Sequence, residues 1–186
     1  MNVLSFEFKA QPKPEAEGLP RSISGIAYTG AVIKNHGALG NTIVDLDNIR
    51  IPEKLLLLND HNRSDRIGLC RVHKEKHSLL LNASILADET TLTLRRQLAH
   101  GLPLGLSISV IGAIEKPDKF IRVNGNMVKP DTVIRNAQLL EVSVVSFGAD
   151  SDAVITAAFK NEQADHERQL SAFLFTQVAN AHVLNL

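Results

Sequence analysis

Tryptophan is absent from the 186 residues, and tyrosine and cysteine occur once each. With aromatic residues at 4 % of the chain, neither a base-stacking platform nor a carbohydrate cleft is to be expected. The single cysteine, Cys70, excludes an internal disulfide and any cysteine-rich zinc or iron–sulfur centre. An excess of charge of one sign is missing too. Twenty Lys+Arg against twenty Asp+Glu give a net charge of zero, which removes any general attraction to nucleic acid or anionic lipid. No apolar run approaches a membrane span, and no basic-then-apolar leader pattern opens the chain. These absences predict a soluble protein of a reducing compartment, with neither nucleic acid nor membrane as partner. What is present is 44 % hydrophobic residues, enough for the core of one ordinary globular domain.

The segment from Phe8 to Pro20 is rich in Pro, Glu and Lys without an apolar period, so residues 1–21 read as a mobile arm. Ser24–Tyr28 and Ile43–Leu46 read as short strands around a Gly/Asn-rich loop, Lys34–Asn41. Leu55–Leu58 is a continuous apolar run stopped by Asn59-Asp60-His61-Asn62, as for a strand buried on both faces that ends in a polar loop. Arg66–Val72 and Ser78–Leu86 pair as an antiparallel hairpin across the turn at Lys74–His77. Asp88–His100 reads as a helix, with Asp88 to cap it and Gly101 to end it. Leu104–Ile114 and Leu139–Phe147 are the strongest strands, and Asn124-Gly125 marks a hairpin turn between them. Ala164–Leu186 reads as an amphipathic helix within a C-terminal helical segment, 161–186, whose Leu170–Phe173–Leu174 face packs on the domain or meets a partner. The expected fold is mainly β, an antiparallel barrel over 22–160 with flanking helices.

Three polar residues stand in or beside the most apolar strands: His61, Ser107 and Glu141. Burying a carboxylate in such a strand is costly unless it is paired. Strand alternation puts Ser107 and Ser109 on one face, and Glu141, Ser143 and Val145 on one face. A serine hydroxyl needs a histidine base within hydrogen-bond reach, and the base needs an acid to fix its tautomer. Spacing alone leaves bland readings open. Ser107 could be a tolerated strand serine, His61 a solvated loop residue, and Glu141 a partner for Arg66 or Arg71. Cys70 reads as inert core. His73 and His77 show no third ligand for a metal.

In register, four elements resemble the prohead, or capsid-maturation, serine proteases of tailed bacteriophages, relatives of the herpesvirus maturational proteases. The first is Asn59-Asp60-His61-Asn62 followed by Arg66-Ile67-Gly68-Leu69. The second is the acidic, Thr/Leu-rich stretch from Ala87-Asp88-Glu89-Thr90 to Gly101. The third is Gly105-Leu106-Ser107-Ile108-Ser109-Val110. The last is Leu139-Leu140-Glu141-Val142-Ser143-Val144-Val145 followed by Gly148-Ala149-Asp150-Ser151-Asp152-Ala153. The resemblance spans roughly residues 22–158. Three departures stand out: Ser109 where the family has Gly, no prolines in the 148–151 loop, and Asp60-His61 in place of the common His-Asp order.

The resemblance implies a herpesvirus-protease-like barrel carrying a serine endopeptidase. Ser107 would be the nucleophile, His61 the general base and Glu141 the third member. Backbone N–H groups of Gly148, Ala149 and Asp150 would form the oxyanion hole, and Arg135 could add charge. No cofactor and no metal are implied. The substrates would be scaffold and major capsid protein inside the immature capsid, in the cytoplasm of the bacterial host, with self-cleavage in the arm before Ser22 or the tail after Phe159. The herpesvirus relatives work as dimers, which leaves a homo-oligomer open. A non-catalytic assembly module with the same barrel is the alternative. An esterase is disfavoured, because Gly105-Leu106-Ser107-Ile108-Ser109 lacks the second Gly of a nucleophile elbow.

Overall fold

The computed structural model describes residues 18–160, so the arm (except Gly18–Arg21) and the C-terminal helical segment lie outside the described residues. Among the described residues there are ten strands, β1 (Ser22–Tyr28), β2 (Thr42–Val44), β3 (Leu55–Asn59), β4 (Asn62–Glu75), β5 (Ser78–Ile85), β6 (Gly105–Glu115), β7 (Ile121–Val123), β8 (Asn126–Val128), β9 (Thr132–Val145) and β10 (Ile155–Phe159). One α-helix, α1 (Leu92–Ala99), and one 3₁₀ turn, Gly37–Leu39, complete the described elements. Eight strands form one sheet in the order β10-β1-β5-β4-β3-β9-β2, with β6 also paired to β9, and β7-β8 stand apart as a hairpin.

One expectation is corrected. The sheet is mixed rather than antiparallel, because β2 and β3 both run parallel to β9. Between them, Arg50 N–H donates to Ala137 O and Leu139 N–H to Arg50 O, so residues 42–59 follow β9 as one interrupted parallel ribbon. Hydrophobic alternation carries no strand direction, so this pairing leaves no mark on the sequence pattern. Of the two expected helices, α1 lies among the described residues and the C-terminal one falls outside them. α1 begins later than Asp88 because that carboxylate closes a turn of its own, accepting from the Thr90 and Thr91 amides at 3.0 and 3.2 Å and from Thr90 Oγ1 at 2.6 Å. Those hydrogen bonds hold the Asp88 carboxyl below its ordinary range. The far end follows the sequence: Gly101 takes φ +69°, and the amides of Gly101 and Leu102 return to Leu98 O and Gln97 O.

No closed barrel is found among the described residues. The ends of the sheet approach at one isolated bridge, Gly105–Val154. There Ile26 N–H donates to Val154 O, Leu106 N–H to Ala153 O and Ile155 N–H to Leu104 O. Gly25 makes the approach possible, since a Cβ there would lie 2.3 Å from Val154 O. Leu57, Leu79, Leu106, Leu139 and Val142 fill the core beneath. Leu55–Leu58 is buried on both faces except at Leu56, which lies opposite Leu69 on the outer surface.

Asn124-Gly125 turns β7 into β8 as expected, both residues at positive φ. The buried Asn124 amide donates to Gly30 O and Val44 O and accepts from Leu46 N–H, which fastens the hairpin to the segment around β2. Tyr28 is fixed nearby, donating to Ala31 O at 2.6 Å and accepting from Val44 N–H at 3.1 Å. Burial raises its phenol above the ordinary tyrosine range. Because the folded-state pKa lies above the unfolded one, this contribution to stability is complete below about pH 10 and is lost at higher pH. Tyr28 is the only tyrosine, so an ultraviolet titration reads it alone. Tyrosinate is expected to appear only above about pH 10 in the native protein and near pH 10 in denaturant.

Candidate active site

The polar run after β3 is tighter than a loop. Asn59 pairs with Asn62, so Asp60 and His61 alone connect β3 to β4. Both have left-handed backbones, φ +46° and +57°, the geometry of a two-residue hairpin turn usually given to Asn-Gly. A histidine held there is a conformational cost that surrounding contacts must sustain. Two contacts with β9 do so: Asp60 N–H donates to Val144 O at 3.0 Å, and His61 N–H donates to Ser143 Oγ at 3.0 Å.

β6 and β9 bring the other groups to the same outer face. Their register sets Ser107 opposite Ser143 and Ser109 opposite Glu141, while Leu106 and Val142 point into the core. The register then slips by one residue at Leu140. Glu141 is 8 % exposed and Ser143 fully buried, whereas the His61 side chain is 40 % exposed.

The three sequence candidates meet. His61 Nε2 lies 2.8 Å from Ser107 Oγ, and Nδ1 lies 2.7 Å from Glu141 Oε1. With the proton on Nδ1 donated to the carboxylate, Nε2 is free to accept from the serine hydroxyl, the arrangement in which imidazole can withdraw that proton. Ser143 Oγ donates to Glu141 Oε2 at 2.8 Å while accepting the His61 amide, so one hydroxyl fixes both the base's backbone and the acid's second oxygen. Ser109 Oγ donates to Glu141 Oε1 and stands 3.3 Å from Nδ1. It therefore faces the carboxylate side of the ring, and Ser107 is the hydroxyl on the Nε2 side.

No family model matches this chain, and no curated protein matches it either.

The surroundings sort the remaining candidates. Glu141 pairs with His61 rather than with Arg66 or Arg71. Arg135 is held between Asp45 and Glu115, whose hydrogen bonds raise its pKa, so its charge is engaged there. Cys70 is buried, and burial first and the Glu141 charge second push its thiol up to about 12, as for an inert core residue. Ala149 and Asp150 line the same cleft of about 340 Å³ as His61 and Ser107. Gly148, the other residue of that turn singled out from the sequence, is not among the cleft's lining and lies close to Gly105 and Leu106. Asp150 Oδ2 accepts from Thr29 N–H and Thr29 Oγ1 at 2.7 Å each, which pins the 148–150 turn to the end of β1. Among the described residues no group of three or more His, Cys, Asp or Glu has the spacing to hold a metal ion.

Sequence reasoning assigned no role to Ser143 or to the Asp60-His61 turn. Alternation already put Ser143 beside Glu141. That it would also receive the His61 amide depends on the parallel β3–β9 pairing, which the pattern does not reveal.

Proposed function

We propose that the protein is a serine endopeptidase of the phage prohead type, in which Ser107 is the nucleophile, His61 the general base and Glu141 the acid that orients it. The unbroken chain of hydrogen bonds from Ser107 Oγ through the imidazole to Glu141 carries this reading. Ser107 Oγ attacks the scissile carbonyl as Nε2 takes its proton. The same proton passes to the leaving amine, and water then hydrolyses the acyl-enzyme. The tetrahedral oxyanion is received by N–H groups of the Gly148–Asp150 turn, a role supported by Ala149 and Asp150 lining the Ser107 cleft. The near-closure of the sheet at Gly105–Val154 supports the herpesvirus-protease-like barrel. Scaffold and major capsid protein inside the prohead are the proposed substrates, with self-cleavage in the terminal segments. An extended substrate pairs with the open edge of β6.

A serine-directed phosphonate tests the chemistry. Covalent labelling mapped by mass spectrometry is expected at Ser107. Labelling at Ser109 would make that hydroxyl the nucleophile in place of Ser107, and no labelling in a folded sample would overturn the protease reading and leave the assembly-module one.

A further inference from the structure

The inward face of β6 changes abruptly along its length. Leu106 is fully buried, but the next two side chains on that face, Ile108 and Val110, are half-exposed. Ala153–Ile155 cover the start of the strand, through Leu106 N–H to Ala153 O and Ile155 N–H to Leu104 O. Beyond that point β6 pairs only with β9 among the described residues. The edge of β6 from Ser107 onward therefore presents unpaired backbone groups, and the interior of the sheet is open beside it. The Ser107 cleft runs into this seam, and Ile33, Leu39, Val44, Ile108, Val110 and Ile134 are among its lining.

We infer that this seam is the specificity pocket of the proposed protease, and that it takes aliphatic side chains at two substrate positions spaced two residues apart. The inference rests on the endopeptidase reading, because its occupant is the peptide whose carbonyl reaches Ser107. A peptide strand added to β6 satisfies the open edge and alternates its side chains between the two faces of the sheet. Residues on the Ser107/Ser109 face point toward solvent and the catalytic groups. Residues on the Ile108/Val110 face point into the seam, where Ile33, Val44 and Ile134 supply aliphatic surface beside the polar His36 and Asp150. An apolar side chain entering there completes the packing that Leu106 receives from the chain itself. An acidic one would lose its hydration beside Val44 and Ile134, in a cleft that the Asp150 carboxylate also lines. Asn124 and Tyr28 hold the opposing wall in place through Val44, so the pocket exists before substrate arrives.

The test uses the full chain and a positional-scanning set of extended peptides, with cleavage sites read by mass spectrometry. Cut sites are expected to carry Leu, Ile or Val at two alternate positions, with kcat/KM falling at least about tenfold when Asp replaces either. Val110→Ala enlarges the seam and is expected to raise the Phe-to-Leu ratio of kcat/KM about tenfold. Cleavage indifferent to alternate aliphatic residues, or a ratio unmoved in Val110→Ala, would overturn the pocket. So would phosphonate labelling of Ser107 without hydrolysis of any peptide in the set. Failure to label either Ser107 or Ser109 would instead overturn the protease reading, and the pocket with it.

Discussion

Ser107→Ala is expected to lower kcat for peptide hydrolysis by on the order of 10⁵- to 10⁶-fold with little change in KM. On the proposed mechanism the substitution removes the atom that would form the acyl bond, while the edge of β6 and the seam behind it stay intact. Ser107 Oγ contacts His61 at the surface of the sheet rather than in its core, so the circular dichroism spectrum and melting temperature should remain close to those of the parent. Co-expression with capsid and scaffold proteins supplies the second measurement, in which processed fragments should vanish. Their persistence from a Ser107→Ala chain would rule out this hydroxyl as the nucleophile.

Glu141→Gln should cost about 10⁴-fold in kcat, through the tautomer of His61 rather than through the fold. Oε1 receives the imidazole Nδ1 and the Ser109 hydroxyl, and Oε2 receives Ser143. An amide has the same shape but only one acceptor oxygen. If its NH₂ faces the ring, Nδ1 must become the acceptor and Nε2 then carries the proton, unable to take another from Ser107. If its oxygen faces the ring, the NH₂ meets Ser143 Oγ, whose hydroxyl can turn to accept but then competes with the His61 amide for the same lone pairs. The strongly deshielded Nδ1–H proton resonance expected of the parent should be lost or moved upfield in Glu141→Gln. An unchanged kcat would separate Glu141 from catalysis and leave it a structural acid.

The local signals were legible wherever one residue type meets one backbone requirement. Gly101 ends α1, Asn124-Gly125 turns a hairpin, and the alternation of Gly105–Val110 and Leu139–Val145 places serines and glutamate on common faces. The register between those strands was not, because Ser107 opposite Ser143 and Ser109 opposite Glu141 are long-range pairings that no local pattern encodes. β10 escaped notice because Ile155–Phe159 is short and mostly small residues; it owes its place to pairing with β1. Arg135 was a free charge on paper and an engaged one in space, since Asp45 lies ninety positions away along the chain. Asp88 looked like a cap and is one, but for a turn that precedes the helix.

The base rides on the shortest connection a hairpin allows, and that connection is tied at both residues to a strand more than eighty positions downstream. A slip of β3 by one residue along β9 would turn its side chains to the opposite face and carry the imidazole off the serine. On the proposed reading, the nascent polypeptide therefore has no activated Ser107 hydroxyl until β9 has been synthesised and has docked.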